Sequence, residues 1–270
     1  MQQDIATVRE HYNANAEREW SRLDEHPFEF IFTTHMMEQY VREGDRILDI
    51  GGGPGRYAIH FAKRGCDVTL VDLSEENVRV ALEKAKEANV SIQAMVANCL
   101  ALDPQALGEF DHVFLMGPLY HLLNPADQKA AVETALSHLK TGGLFYASFI
   151  LAFGALIFDL KNGGNIVRDS TNPETRSLID EIVNGEDYRG QAFTRVCLTN
   201  QRNILPFMEQ FPLEKLHLFG QEGILAPNEN ELLQRDQEEI DCWIEIAKKY
   251  LDMPELLSYS EHAMYIGKKL

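Results

Sequence analysis

The stretch Leu48-Asp49-Ile50-Gly51-Gly52-Gly53-Pro54-Gly55-Arg56 sets four glycines between a short apolar run and a helical one. Glycines at such a junction let a ligand lie against the backbone, because no Cβ stands in the way. Their spacing separates two ligand classes. A dinucleotide fingerprint, Gly-x-Gly-x-x-Gly, needs its third glycine where this chain has Arg56. The pattern here is Gly51-x-Gly53-x-Gly55, with Asp49 just before it and with Pro54 removing an amide that would face a pyrophosphate. Asp72 closes the next apolar run, 21 residues after Gly51. A carboxylate at that edge can accept two hydrogen bonds from a ribose diol. Taken singly, the glycines could be a tight turn and Asp72 a helix cap. In this order and at this distance they read as a nucleoside site.

Those residues need elements to hold them. Two polar, mostly helical segments come first, about 3 to 25 and 28 to 42. The first carries Val8, Tyr12, Ala16 and Trp20 at four-residue steps, and both segments are expected on a surface. From Arg46 the rhythm becomes strand–helix. Strands are expected at 46–50, 67–72, 92–97, 112–116 and 144–150, with helices at about 55–63, 74–88 and 125–139 between the first and second, the second and third, and the fourth and fifth. Ser74 caps one helix and Asn124-Pro125 starts another. Alternation at this spacing predicts a doubly wound α/β sheet, mostly parallel, with helices on both faces. Residues 151 to about 198 break the rhythm, with an Asn162-Gly163-Gly164-Asn165 turn and a polar stretch from Arg168 to Arg176. A sixth strand at 213–219 and a last one at 263–267 are expected as a hairpin, making seven. Between them, Asn228 with Glu231 three residues on opens a predicted helix with the stripe Leu233, Ile240, Trp243, Ile244, Ala247 and Leu251. The expected organisation is a helical N-terminal cap at 1–44, a binding core at 45–150, an inserted substrate lid at 151–200 and the rest of the sheet at 201–270.

With those pieces in order, residues 46–150 resemble the core of the class I S-adenosylmethionine-dependent methyltransferases, in their small-molecule branch. Leu48 to Gly55 matches the family's first motif and Val68 to Asp72 its second. Phe110-Asp111-His112-Val113-Phe114-Leu115-Met116-Gly117 matches the fourth, and Leu139 to Leu144 the glycine turn before the fifth strand. The resemblance implies a Rossmann-like sheet of seven strands, the last antiparallel, and S-adenosylmethionine as cofactor with S-adenosylhomocysteine as product. It implies that Asp49, Gly51, Gly52, Gly53 and Gly55 hold the methionine moiety, and Asp72 with Leu73 the ribose. Asn98, Cys99 and Leu100 would face the adenine. Asn98 stands where the family usually has an acidic residue, and its side-chain oxygen could accept the same bond. Backbone near Met116 and Gly117 would meet the cofactor's amino group, and Tyr12 and Trp20 would cover the cofactor or simply pack their helix. Tyr120 and His121 lie just past the fourth strand, beside the expected methyl group. His121 is the candidate base, with bracing of the next helix as its alternative role. Glu17, His26 and His35 are expected on the surface. Methyl transfer asks mainly for in-line positioning and exclusion of water, and needs a base only if the acceptor arrives protonated.

Composition narrows the partners. The chain has 270 residues, 45% of them hydrophobic, with 42 acidic against 25 basic and a formal charge of −17. Such a chain repels a phosphate backbone unless it has a basic patch, and only the pairs Lys248-Lys249 and Lys268-Lys269 stand out. A small-molecule acceptor is therefore expected, with no nucleic acid and no membrane. Cys66, Cys99, Cys197 and Cys242 are too scattered for a metal site, and no other cluster has ligand spacing, so no metal is expected. The first twenty residues are charged, which argues against a secretory signal and for the cytoplasm. Two rivals remain. One is a nicotinamide-dependent oxidoreductase on a similar sheet; the other is a non-catalytic S-adenosylmethionine-binding subunit.

Overall fold

In the computed structural model, which describes residues 2–164, 166, 168, 169 and 171–270, all the expected strands lie in one sheet. Helices α1 (Gln2–Glu25) and α2 (Pro27–Met37) lead in, and β1 (Arg46–Ile50), α3 (Arg56–Lys63), β2 (Asp67–Asp72), α4 (Glu75–Glu87) and β3 (Gln93–Val96) follow. After a 3-10 turn at Cys99–Ala101 come α5 (Pro104–Leu107), β4 (Phe110–Leu115), a second 3-10 turn at Pro118–His121, α6 (Pro125–Ser137) and β5 (Leu139–Leu151). The remainder is α7 (Ala152–Asn162), α8 (Pro173–Asn184), β6 (Tyr188–Gln191), β7 (Arg195–Thr199), α9 (Gln201–Met208), β8 (Leu213–Gly220), α10 (Glu229–Leu232), α11 (Gln237–Lys248) and β9 (His262–Lys269).

The strands β3-β2-β1-β4-β5 pair in parallel in that order. β9 inserts antiparallel between β5 and β8. The central strands β1, β2 and β4 are buried on both faces, as their near-continuous apolar runs require. Two cores result. One face packs α2, α3 and α4 through Phe28, Phe32, Phe61, Val78 and Ala81. The other packs α6 and α9 through Ala131, Val132, Ile204 and Met208.

The sheet has nine strands rather than seven. The extra two, β6 and β7, form a hairpin in the segment expected to be turn-rich, and β7 joins β5 in parallel at Ile150 and Leu151. It takes the place beside β5 that β4 vacates where it ends, at Leu115. The segment's Gly163 caps α7 in the left-handed region, while Asn165 of the expected turn lies outside the described residues.

Two other expectations are corrected. α2 is not a surface helix: Phe28, Phe32 and Met37 are fully buried, because the end of β8 and the 3-10 segment Gly223–Asn228 cover its outer side. The helix expected from Asn228 is broken. Asn228 makes no side-chain cap, α10 is a single turn, and α11 starts afresh where Asp236 accepts the Glu239 amide at 2.9 Å. No helix among the described residues is long and apolar enough to cross a membrane.

Candidate functional site

The carboxyl ends of β1 to β5 and β8, with the start of β9, open into one cavity of about 180 Å³, roofed by α1 and α2. This is the edge where doubly wound sheets bind ligands. Its first half lies over β1–β3. The Gly51 amide donates to the Val71 carbonyl at 2.6 Å, which curls the turn back over β2. Gly51 has φ +71°, and a Cβ on it would stand 2.5 Å from Pro118 Cδ. At Gly52 a Cβ would stand 2.6 Å from Asp49 Oδ2. The turn therefore closes tightly over the Asp49 carboxylate.

Asp49 is 1% exposed, lines the cavity, and neither of its oxygens has a hydrogen-bond partner among the described residues. Burial, with Asp72 adding to it, pushes its pKa up to about 7. A buried carboxylate in that position lacks a cation. Asp72 is different. Its Oδ2 accepts the Gly53 amide at 2.8 Å, and its Oδ1 accepts the Ser74 amide at 2.8 Å and Asn77 Nδ2 at 3.1 Å. Burial raises its pKa, and these bonds offset part of the rise. The carboxylate thus fastens the glycine turn to β2 as well as facing the cavity.

Leu73, Asn98 and Cys99 also line this half, and so do Met116 and Gly117 at the end of β4. Asn98 Oδ1 already accepts the Leu100 amide at 2.9 Å, capping the 3-10 turn. Burial raises the Cys99 thiol to about 12. Three expected residues are not brought to the cavity. Leu100 packs into the α6 core, since the 3-10 turn rotates it away. Gly55, at φ +87°, lets α3 start against Ala81 of α4. Trp20 lies outside the cavity, against the Arg56 guanidinium at 4.8 Å, with the Lys84 ammonium at 5.6 Å.

Over β4 the site is set by α1. Tyr12 Oη lies 2.7 Å from His121 Nε2, and His121 Nδ1 lies 3.0 Å from the Arg195 carbonyl oxygen. A carbonyl only accepts, so Nδ1 carries the proton and Nε2 accepts from the Tyr12 hydroxyl. Burial lowers the His121 pKa to about 4, so the ring is neutral. Both nitrogens are engaged, one of them by the extra hairpin. Tyr120 lines the cavity next to it, its own pKa raised by burial. Asn13 Oδ1 accepts from Ser74 Oγ at 2.6 Å, and Arg195 pairs with Asp4 at 2.9 Å, so α1 is pinned at both ends of the opening.

The second half lies over β5, β9 and β8. It was not anticipated: Glu19, Arg22, Glu29, Ser148, Gln221 and His262 line it. Arg22 holds both oxygens of Glu29, at 2.6 and 3.2 Å. Burial alone would raise Glu29, but Arg22 and His262 outweigh it and hold the pKa at about 2. Glu222 Oε1 accepts from His262 Nδ1 at 2.5 Å, and its other oxygen accepts the Glu261 and His262 amides at 3.0 Å. Burial opposes charge on His262, yet Glu222 and Glu29 outweigh it and raise its pKa to about 9. Glu29, Glu222 and His262 bring possible metal-ligand atoms within 4.8 Å of one another. Arg22 and protonated His262 already supply the two positive charges these two carboxylates need. Of the expected surface residues, Glu17, His26 and His35 stay out of the cavity, His26 bonding Glu229 at 2.9 Å. The 151–200 segment contributes no lining residue among those described. It builds a small core of its own beside the sheet, around Leu178, Ile182 and Val196, and touches the site through Arg195 and Phe193.

Comparison with known proteins adds what the geometry alone leaves open. Residues 47–143 match the family model described as a methyltransferase domain. The chain is 34% identical over 105 residues to a ubiquinone biosynthesis O-methyltransferase of Xanthomonas axonopodis pv. citri, covering 39% of this chain and 43% of that one. It is 30% identical over 145 residues to the protein of the same name from Marinobacter nauticus, covering 52% of this chain and 60% of that one. The chain thus spans less than two thirds of these relatives. Among solved structures, the magnesium protoporphyrin IX methyltransferase of Synechocystis PCC 6803 with bound S-adenosylhomocysteine shares the fold at TM-score 0.60. It is 13% identical, with 99% of this chain and 100% of that one covered. The N-methyltransferase NodS of Bradyrhizobium japonicum WM9 does so at TM-score 0.55 and 14% identity, over 96% and 98%. At such identity the likeness is one of fold.

Proposed function

We propose that this chain, whose residues 47–143 match a methyltransferase domain, is a class I S-adenosylmethionine-dependent methyltransferase that transfers a methyl group to a small molecule. The carrying observation is Asp49, a buried carboxylate at the glycine turn without a partner among the described residues, in a cavity that also holds Asp72. The site suits a ligand with a cationic amino-acid end and a vicinal diol. Bound S-adenosylmethionine would supply an electrophilic methyl group on a sulfonium, an excellent leaving group.

The rest falls to the chain's own residues. Asp49 and the glycine turn would hold the cationic end, Asp72 with Leu73 the ribose, and Asn98 and Cys99 the adenine edge. Met116 and Gly117 would supply backbone near the amino group. α1 and α2 roof the cavity and would exclude water and align the acceptor, which is the main protein contribution to such a transfer. His121 holds Tyr12 over the opening, so a proton leaving the acceptor would reach His121 only through the Tyr12 hydroxyl. We assign acceptor selection to residues 1–44 and the β5–β9–β8 edge, and bracing of His121 to 151–200. A chain of this kind works without nicotinamide, since Arg56 breaks that fingerprint.

Calorimetric titration with S-adenosylhomocysteine tests the reading. Saturable binding at one site is expected; no heat and no thermal shift at millimolar ligand would refute it. Tight binding of reduced nicotinamide dinucleotide would favour the oxidoreductase instead.

A further inference from the structure

The second half of the cavity carries a charge arrangement that methyl transfer itself does not require. Each cation and carboxylate there has a partner among the described residues, whereas Gln221 Oε1 and a donor on His262 are left over. Arg22 gives its two terminal nitrogens to Glu29 and lies 3.4 Å from Glu19 through Nε. Glu222 is filled by His262 Nδ1 and two amides. Gln221 Nε2 donates to Thr33 Oγ1 at 2.9 Å. His262 Nε2 makes no hydrogen bond among the described residues, although the ring lines the cavity.

The sheet register groups further donors with it. His262 pairs with Ile150 and Met264 with Ser148, so Ser148 and His262 are diagonal neighbours on one face of the sheet. The Ser148 hydroxyl makes only a weak 3.8 Å contact with Met264 Sδ, and the Tyr120 hydroxyl makes no hydrogen bond among the described residues. The charged groups around His262 are Glu222 and Glu261 from the β8–β9 connection, Glu29 from α2 and Arg22 from α1. Two of those carboxylates hold the imidazole in its charged, donating form, so Nε2 offers a proton to a ligand and not a lone pair.

We propose that His262, oriented by Glu222, anchors an oxygen-bearing head group of the methyl acceptor, a carboxylate or a carbonyl, through its Nε2–H. The proposal rests on the methyl-transfer reading of the same cavity. β5 separates β9 from β4, so this anchor stands two strand spacings, about 10 Å, from the β4 end where the methyl group would sit. The acceptor is therefore a molecule with its nucleophile at one end and an oxygen acceptor at the other. Ile5, Val8, Leu23 and Leu122 give the same cavity an apolar lining. His262 is a positioning residue here: it orients the acceptor and takes no part in bond making.

Benzoate, methyl benzoate and benzylamine share a ring and differ in head group, which makes them suitable probes. Each is titrated by calorimetry into the protein alone and into protein saturated with S-adenosylhomocysteine. The oxygen-headed probes are expected to bind at least about tenfold tighter than benzylamine. Preference for benzoate identifies a carboxylate, and preference for methyl benzoate a carbonyl. In His262→Gln the amide N–H goes to Glu222 and its oxygen faces the cavity, so that preference should vanish while S-adenosylhomocysteine binds unchanged. Equal or tighter binding of benzylamine, no binding of any probe at millimolar concentration, or a His262→Gln protein that keeps the preference would overturn the proposal. So would Mn²⁺ alone raising the melting temperature of the parent protein and not of His262→Gln, since the cluster would then be a metal site. The probe series on the parent protein decides even if the variant folds poorly. Failure of S-adenosylhomocysteine to bind would sink the methyl-transfer reading, and the titrations of the protein alone would still judge the anchor.

Discussion

Replacing Asp49 by Asn should strengthen the free protein and cripple cofactor binding, a combination that few substitutions give. The carboxylate is 1% exposed and has no hydrogen-bond partner among the described residues, with a pKa of about 7 against roughly 3.9 for an ordinary Asp. A folded-state pKa raised this way means the folded chain holds a proton the unfolded chain has lost. Stability therefore falls as pH rises from about 4 to 7 and stays low above. The gap of about three units corresponds to roughly 4 kcal/mol above pH 7. An asparagine amide left without partners gives back about 1–3 kcal/mol of this. Asp49→Asn should thus be more stable than the parent by roughly 1–3 kcal/mol at pH 8 and no more stable at pH 4. Losing the charged partner of an ammonium group should weaken S-adenosylhomocysteine binding by about 1.5–3 kcal/mol, or about 10- to 150-fold. In the parent, that affinity should be full above pH 7 and decline by up to about tenfold per pH unit below it. Urea titrations at both pH values and calorimetry at pH 8 measure all of this. A variant equally stable at pH 8, with unchanged affinity, would refute the idea that Asp49 waits for a cation.

Asp72→Ala should weaken S-adenosylhomocysteine by about 1.5–3 kcal/mol and, measured by urea titration, also cost stability, because the Gly53 and Ser74 amides and Asn77 lose their shared acceptor. Trp20→Ala should leave S-adenosylhomocysteine affinity within about twofold in calorimetry, since the ring packs against Arg56 and Lys84 outside the cavity. Tyr12→Phe and His121→Ala should lower turnover by similar factors, about 10²- to 10⁴-fold for a proton-bearing acceptor, because neither reaches the acceptor's proton without the other. Steady-state rates with an identified acceptor check this, and full activity in Tyr12→Phe would remove the relay.

That the residues over β1–β3 share one cavity was legible because the information is local. A strand end, a glycine spacing and an acidic residue one strand later need no knowledge of distant packing. The same locality explains the misses there. Leu100 sits within a 3-10 turn and Gly55 at the last position of the glycine loop, where a rotation of the chain decides between cavity and core. The half of the cavity over β5, β9 and β8 had no local signature. Glu222 and His262 are 40 residues apart and meet because β9 pairs with β8; Arg22 and Glu29 meet across the α1–α2 corner. The Arg195–Thr199 strand could have been suspected from its run Val196-Cys197-Leu198-Thr199, but not its place beside β5.

Helix α1 shows how a pattern can be seen and still misjudged. Val8, Tyr12, Ala16 and Trp20 recur every four residues and suggest a single face. A helix turns about 100° per residue, so each four-residue step overshoots a full turn by about 40°. Between Tyr12 and Trp20 the drift is about 80°, enough to put one ring in the cavity and the other against Arg56. The face that roofs the site is Ile5, Val8, Tyr12, Glu19, Arg22 and Leu23, which keeps true helical spacing. It escaped notice because half of it is polar. Hydrophobic periodicity finds the stripe that buries against a core. A helix that covers a binding site needs a stripe matched to the ligand, and in this chain that stripe carries a tyrosine, a glutamate and an arginine.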